Sequence, residues 1–129
     1  MTFAALLAFV VVLGTTGCKK KNNLLKIVTE LNEQCPIDNG KFTLTGVAID
    51  NNCLTYYEEA SKADFDALDE NAKREELIKS IQGENKKIVT EILKANKGLV
   101  YVYYESNDST RENAKTIKFE PSELGNLIK

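Results

Sequence analysis

The chain contains no histidine and no tryptophan, with a single methionine and two prolines. Without His, the commonest general base and the commonest metal ligand are both missing. Only Asp, Glu, Lys and Tyr remain to serve a nucleophile as base. Positive charge is not in excess either. Lys and Arg number 17 against 19 Asp and Glu, a net charge of −2, which excludes a strongly basic nucleic-acid binder. The seven glycines are scattered, so no phosphate-cradling loop is present. No Cys-x-x-Cys pair occurs, and a redox motif of that type is absent with it. The first 17 residues carry no charged side chain at all. What is there is otherwise ordinary: 43% hydrophobic and 28% charged residues over 129 positions describe one globular domain rather than a disordered chain.

The uncharged beginning has internal order. Phe3 to Leu13 is a run of 11 apolar residues. That length suits a signal-peptide core of about 7–15 residues and falls short of the roughly 20 needed to cross a bilayer. The small residues Gly14 to Gly17 follow, then Cys18, then Lys19, Lys20 and Lys21. The stretch resembles the signal peptide and lipobox of bacterial lipoproteins, with Gly17 before Cys18 and Leu13 closing the apolar run. It departs from that pattern at Thr15, where the family prefers Leu, and in an n-region, Met1-Thr2, without Lys or Arg. The resemblance implies that Cys18 becomes the lipidated first residue of a 112-residue mature chain, so that the lipid bilayer is its first partner. Each buried acyl methylene contributes about 0.8 kcal/mol, and two or more chains give stable attachment. The three lysines would add about 1 kcal/mol each at an anionic surface, or serve as a solvated tether. Because Lys19 rather than Asp follows the Cys, the resemblance points to the outer membrane, facing the periplasm.

The expected organisation is a signal peptide over 1–17, a lipidated tether over 18–23, and one α+β domain over 24–129. Leu24, Leu25, Ile27, Val28 and Leu31 recur at helical spacing between Asn23 and Gln34, and Cys35-Pro36 stops the helix. A hairpin follows, with strands Lys41–Ile49 and Cys53–Glu58 around the turn Asp50-Asn51-Asn52. One long helix is predicted from Ser61 or Ala63 to about Ile81. A second runs from Asn85 to Asn96, with Gly98 as its C-terminal stop. A second hairpin pairs Leu99–Glu105 with Ala114–Glu120, and a short helix starts at Pro121-Ser122. The order αββααββα predicts a four-stranded antiparallel sheet packed with helices. The Cys-Pro turn, the strand containing Leu44 and Val47, Tyr56-Tyr57 and Tyr101-x-Tyr103 resemble a group of small bacterial envelope proteins of unknown function. That resemblance implies the same fold order and no activity.

Three sets of residues stand out as candidate chemistry. With Cys18 given to lipid, Cys35 and Cys53 are an even remainder, which in an oxidising compartment is consistent with a disulfide; two free, partly buried thiols are the alternative. The acids from Asp64 to Glu76 fail an EF-hand pattern, since Leu68 and Asp69 occupy loop positions five and six. They read instead as a solvated helix face with negative charge near its N-terminus. No metal or other cofactor is implied. Tyr101 and Tyr103 share one side of their strand, while Val100, Val102 and Tyr104 share the other. If helices cover the Val side, Tyr101 and Tyr103, joined by Tyr56, form an exposed aromatic face for a partner. Ordinary cross-strand packing, under the helices or on the sheet surface, is the alternative. The first strand is apolar on both faces and does not decide between them.

The functional expectation is a membrane-anchored, non-catalytic binding module contacting an envelope protein or the cell wall. The alternative is a small-ligand carrier or an inhibitor of an envelope hydrolase, marked by an apolar pocket with convergent polar groups. An enzyme would need a buried carboxylate or Tyr with a strongly shifted pKa in a cleft.

Overall fold

A computed structural model describes residues 23–129. The signal peptide, the lipidation at Cys18 and the lysine tether lie outside the described residues. Helix α1 (Asn23–Gln34) forms as its periodicity predicts and buries Leu24, Ile27 and Leu31. Leu25, on the opposite side, is 57% exposed. After Pro36 the chain enters β1 (Ile37–Asp38), a two-residue strand that the sequence pattern does not reveal.

Strands β2 (Phe42–Asp50) and β3 (Cys53–Ala60) make the predicted hairpin. Its turn residues Asn51 and Asn52 both take positive φ, 49° and 64°. A tight two-residue turn demands that conformation, and Asn tolerates it. The predicted long helix is instead two helices, α2 (Lys62–Asp66) and α3 (Glu70–Gln82). Asp69 interrupts it by capping α3, its side chain accepting from the Asn71 backbone N–H. Helix α4 (Lys86–Lys94) buries Ile88, Val89 and Ile92. Strands β4 (Gly98–Glu105) and β5 (Lys115–Phe119) form the second hairpin, and α5 (Pro121–Leu127) closes the chain with Pro in its first turn.

The domain is therefore α+β, but the expected four-stranded antiparallel sheet is corrected to five strands in the order β1-β2-β3-β4-β5, with mixed direction. Each hairpin is antiparallel inside itself, whereas β3 and β4 run parallel, pairing Cys53 with Gly98, Tyr56 with Tyr101 and Glu58 with Tyr103. The cause is the crossover. Helices α2 to α4 carry the chain from the end of β3 back to the level of its start, and a parallel pair needs such a connection.

Strand alternation then sorts the two faces of the sheet. Leu54, Leu99, Tyr101, Tyr103, Ile117 and Phe119 belong to the buried core with the apolar residues of the helices. Val100 and Val102 are only partly buried and lie outside that core. The helices thus cover the Tyr side, and the Val side is the open one. On that open side Arg111, from the β4–β5 loop, stacks 4.4 Å from the Tyr57 ring and 4.6 Å from the Tyr104 ring.

Two polar side chains occupy the sheet margins. Asn32 of α1 both donates to the Val47 carbonyl (2.7 Å) and accepts from its N–H (2.8 Å), standing in for a neighbouring strand beyond the reach of β1. On the opposite margin Arg74 of α3 donates to the Lys118 carbonyl (2.9 Å), pairs with Glu123 and lies 4.3 Å over the Phe119 ring. No helix among the described residues is long and apolar enough to cross a membrane.

Candidate functional site

The register of β3 and β4 builds a row of rings. Tyr56 is the direct partner of Tyr101, and their centroids are 5.1 Å apart. Tyr103, two residues on, stacks on Tyr101 at 6.3 Å with ring planes 10° apart. Phe42 of β2 meets Tyr103 edge-on at 5.1 Å. Such offset and edge-to-face pairs are favourable beyond the area they bury. These rings form the floor of a cavity of about 570 Å³. The C-terminal half of α3, the start of α4 and the β1–β2 turn border it, contributing Leu77 and Ser80, Ile88, and Asn39 among others. That size is typical of small-ligand and side-chain pockets.

Of the two readings of the Tyr side, packing under the helices and an exposed aromatic face, the structure has the first. Tyr101 and Tyr103 do share a side and Tyr56 joins them, but Tyr101 is 4% and Tyr103 0% exposed. They line a recess beneath helices rather than an open sheet surface.

One floor residue is charged. Glu58 alternates with Leu54, Tyr56 and Ala60, so the pleat turns it inward, where it is 8% exposed. Burial pushes its carboxyl above the ordinary carboxylate range, against the opposing pull of the Lys73 ammonium and Asn39. Burial likewise raises Tyr56, Tyr101 and Tyr103, with the Glu58 charge adding to the effect. A phenol so placed keeps its proton, and these hydroxyls act as hydrogen-bonding groups rather than bases.

Lys73 of α3 reaches over the floor. Its ammonium lies 4.8 Å from the Phe42 centroid, 5.7 Å from that of Tyr103, and 3.2 Å from the Glu76 carboxylate. The Tyr103 hydroxyl is buried and has no hydrogen-bond partner among the described residues. Neither Glu58 nor Lys73 was singled out from the sequence. The inward alternation of β3 was a usable signal for Glu58; Lys73 sits on a helix with few apolar residues and carries none.

Cys35 and Cys53 are both free thiols. Cys35 lies at the end of α1, its N–H donating to the Asn32 carbonyl (3.2 Å), and burial and the nearby Glu58 charge raise its pKa. Cys53 starts β3 beside Gly98 at the far end of the sheet.

The raised carboxyl of Glu58 has a consequence for stability. The fold favours its protonated form, so its contribution is most favourable below the ordinary carboxylate pKa of about 4.3 and is lost as pH rises through the raised folded value. Glu58→Gln keeps the shape and removes the charge. Its thermal midpoint is expected to exceed that of the parent near pH 7 and to converge on it below about pH 4. Thermal unfolding of the two proteins across that range checks this, because all other carboxylates are common to both. A parent that stays the more stable at neutral pH contradicts it.

No family model matches the chain, and no curated protein matches it in sequence. Solved structures do share its fold. The chain is similar to a candidate secreted protein from Pseudomonas aeruginosa, with a TM-score of 0.65 and 15% identity over 82% of this chain and 93% of that one. It is also similar to the pilotin of the Vibrio vulnificus type 2 secretion system, with a TM-score of 0.54 and 11% identity over 86% of this chain and 96% of that one. At such identities the shared property is the fold.

Proposed function

We propose that the protein is an envelope lipoprotein that binds rather than catalyses, anchored through acylated Cys18 and using the aromatic cavity as its binding site. The cavity carries this reading. Apolar walls converge on a few polar groups, Glu58, Lys73 and the Tyr103 hydroxyl, as a recognition pocket requires. The fold shared with a secretion pilotin and a candidate secreted protein supports an envelope partner that is itself a protein. The lipobox-like sequence around Cys18 supports the anchor.

A buried carboxylate in a cleft is also what an enzyme would use. Against that, Ser80, the hydroxyl of nucleophile type lining the cavity, is bonded to Asn85 Nδ2 at 2.6 Å rather than to a base. The tyrosines hold their protons. A small-ligand carrier remains the second reading, favoured by the buried aromatic floor of the same cavity.

In cells, Cys18→Ala is expected to move the protein from the membrane to the soluble fraction. A photo-crosslinking residue at Asn39, on the cavity rim, is expected to capture a partner in intact envelopes. The same residue at Thr116, on the open sheet side, is expected to capture none. Continued membrane fractionation of the Ala variant removes the anchor, and equal capture from both faces removes the cavity as the binding site.

A further inference from the structure

We infer that the cavity receives a protonated amine on an apolar stem, supplied as the basic side chain of a partner protein or as a free organic amine. This rests on reading the cavity as the binding site and names what that site recognises.

The first argument is charge. Glu58 and Glu76 face the cavity, and Lys73 supplies one ammonium between them. Lys73 pairs with Glu76; Glu58, held by the Asn39 side chain and drawn by Lys73 only from a distance, is in no ion pair among the described residues. A buried carboxylate in that position wants a cationic, hydrogen-bonding partner. Asp38 and Glu84 on the rim add negative potential and draw cations toward the mouth.

The second argument is that the floor already receives an ammonium. Lys73 stands over the faces of Phe42 and Tyr103. Tyr101 is packed between its neighbours, but the half-buried Tyr56 ring beside it lines the cavity and carries no cation among the described residues.

The third is independent of charge. The Tyr103 side chain lines the cavity, and its hydroxyl is buried with no hydrogen-bond partner among the described residues. Unpaired buried polar groups of this kind are rare and call for a reason. An ammonium, with three N–H donors and no acceptor, can donate to the Tyr103 oxygen and to Glu58 together. Leu44, Leu77 and Ile88 give its methylene stem an apolar wall. A fatty acid would bring a second carboxylate to Glu58. A pure hydrocarbon would leave the Tyr103 hydroxyl unpaired and Glu58 without a cation in contact.

The test is titration of the full-length protein, in detergent, with n-butylammonium, n-butanol, butyrate and a capped Ala-Lys-Ala tripeptide, followed through the tyrosine ring signals by NMR. Butylammonium is expected to bind at least tenfold more tightly than butanol, and butyrate not at all. Glu58→Gln is expected to lose at least tenfold in butylammonium affinity. Tyr103→Phe is expected to lose several-fold with its thermal midpoint unchanged or higher, since no intramolecular hydrogen bond is removed. A tripeptide that outbinds butylammonium assigns the amine to a partner's side chain, and the reverse order assigns it to a free amine; both uphold the inference. Equal binding of butylammonium and butanol, or a folded Glu58→Gln protein with unaltered affinity, overturns it. If amines fail while the Asn39 crosslink persists, the ammonium assignment falls and the binding-module reading stands. Loss of the crosslink removes that reading whatever the amines do.

Discussion

Phe119→Ala is expected to cost about 3–5 kcal/mol of folding free energy, the largest loss from any single truncation considered for this domain. Phe119 is fully buried at the end of β5 and meets Tyr101 edge-on at 6.5 Å. It belongs to one contiguous core that reaches from α1 to Leu124 of α5. Removing the ring takes away its transfer free energy and leaves a void that the sheet backbone cannot close, because β5 is held in register with β4 from Leu99–Phe119 to Tyr103–Lys115. It also strips Arg74 of the ring on which its guanidinium rests, weakening the only link seen between α3 and the Lys118 carbonyl among the described residues. Domains of this size have total stabilities of about 5–15 kcal/mol. At about 4–8 °C per kcal/mol, the thermal midpoint should fall by about 12–40 °C. Phe119→Leu, which keeps most of the volume, is expected to cost under about 1.5 kcal/mol. Thermal unfolding of the two variants side by side tests the claim. A Phe119→Ala protein as stable as the Leu variant would show that the position is not a core anchor.

The same residues show how far the sequence could be read. The helix α1, both hairpins and the turn at Asn51-Asn52 were legible because each is a local event: apolar spacing, alternation, and a residue type that accepts positive φ. The split between α2 and α3 was not. Phe65, Leu68 and Leu77 continue the apolar pattern through the break, and only the side chain of Asp69, capping a new first turn, decides it. Strand β1 has two residues and no period to detect. The parallel joint between β3 and β4 depends on where the helical crossover sets the chain down, which no local pattern records. For the site, the shared side of Tyr101 and Tyr103 was legible from alternation. Whether that side was open depended on which face the helices chose, and β2, apolar on both faces, gave no vote. The cavity itself exists only because α3 and α4 meet over β3 and β4, so its polar groups could not be seen as a set.

Gly98→Ala is expected to cost about 1–3 kcal/mol, for a reason different from the one its sequence suggests. A glycine after an apolar helix reads as the residue that ends it at positive φ. Here Asn96 does that, with φ of 59°, its N–H donating to the Leu93 carbonyl (2.9 Å), while the Lys97 N–H reaches the Ile92 carbonyl (3.1 Å). Gly98 instead opens β4 in a crowded corner. A Cβ there would lie 2.9 Å from the Phe119 carbonyl oxygen, 3.2 Å from Cys53 Sγ and 3.6 Å from Pro121 Cδ. The first contact is with backbone that β4–β5 pairing holds in place, so no rotamer change relieves it. The Gly98 N–H also donates to the Asn52 carbonyl (3.0 Å), tying the start of β4 to the β2–β3 turn. A methyl group must therefore push apart β5 or the entry to α5, and the strain reaches the parallel pairing at Cys53. Asn96→Gly, by contrast, places a residue suited to positive φ at an exposed site and should change stability by no more than about 0.5 kcal/mol. Urea denaturation of both variants distinguishes the two roles: a lowered midpoint with an unchanged m-value for Gly98→Ala, and a parent-like curve for Asn96→Gly. The opposite ranking, a parent-like Gly98→Ala and a destabilised Asn96→Gly, would remove the crowded-corner role of Gly98 and show that the Asn96 side chain does more than accept positive φ.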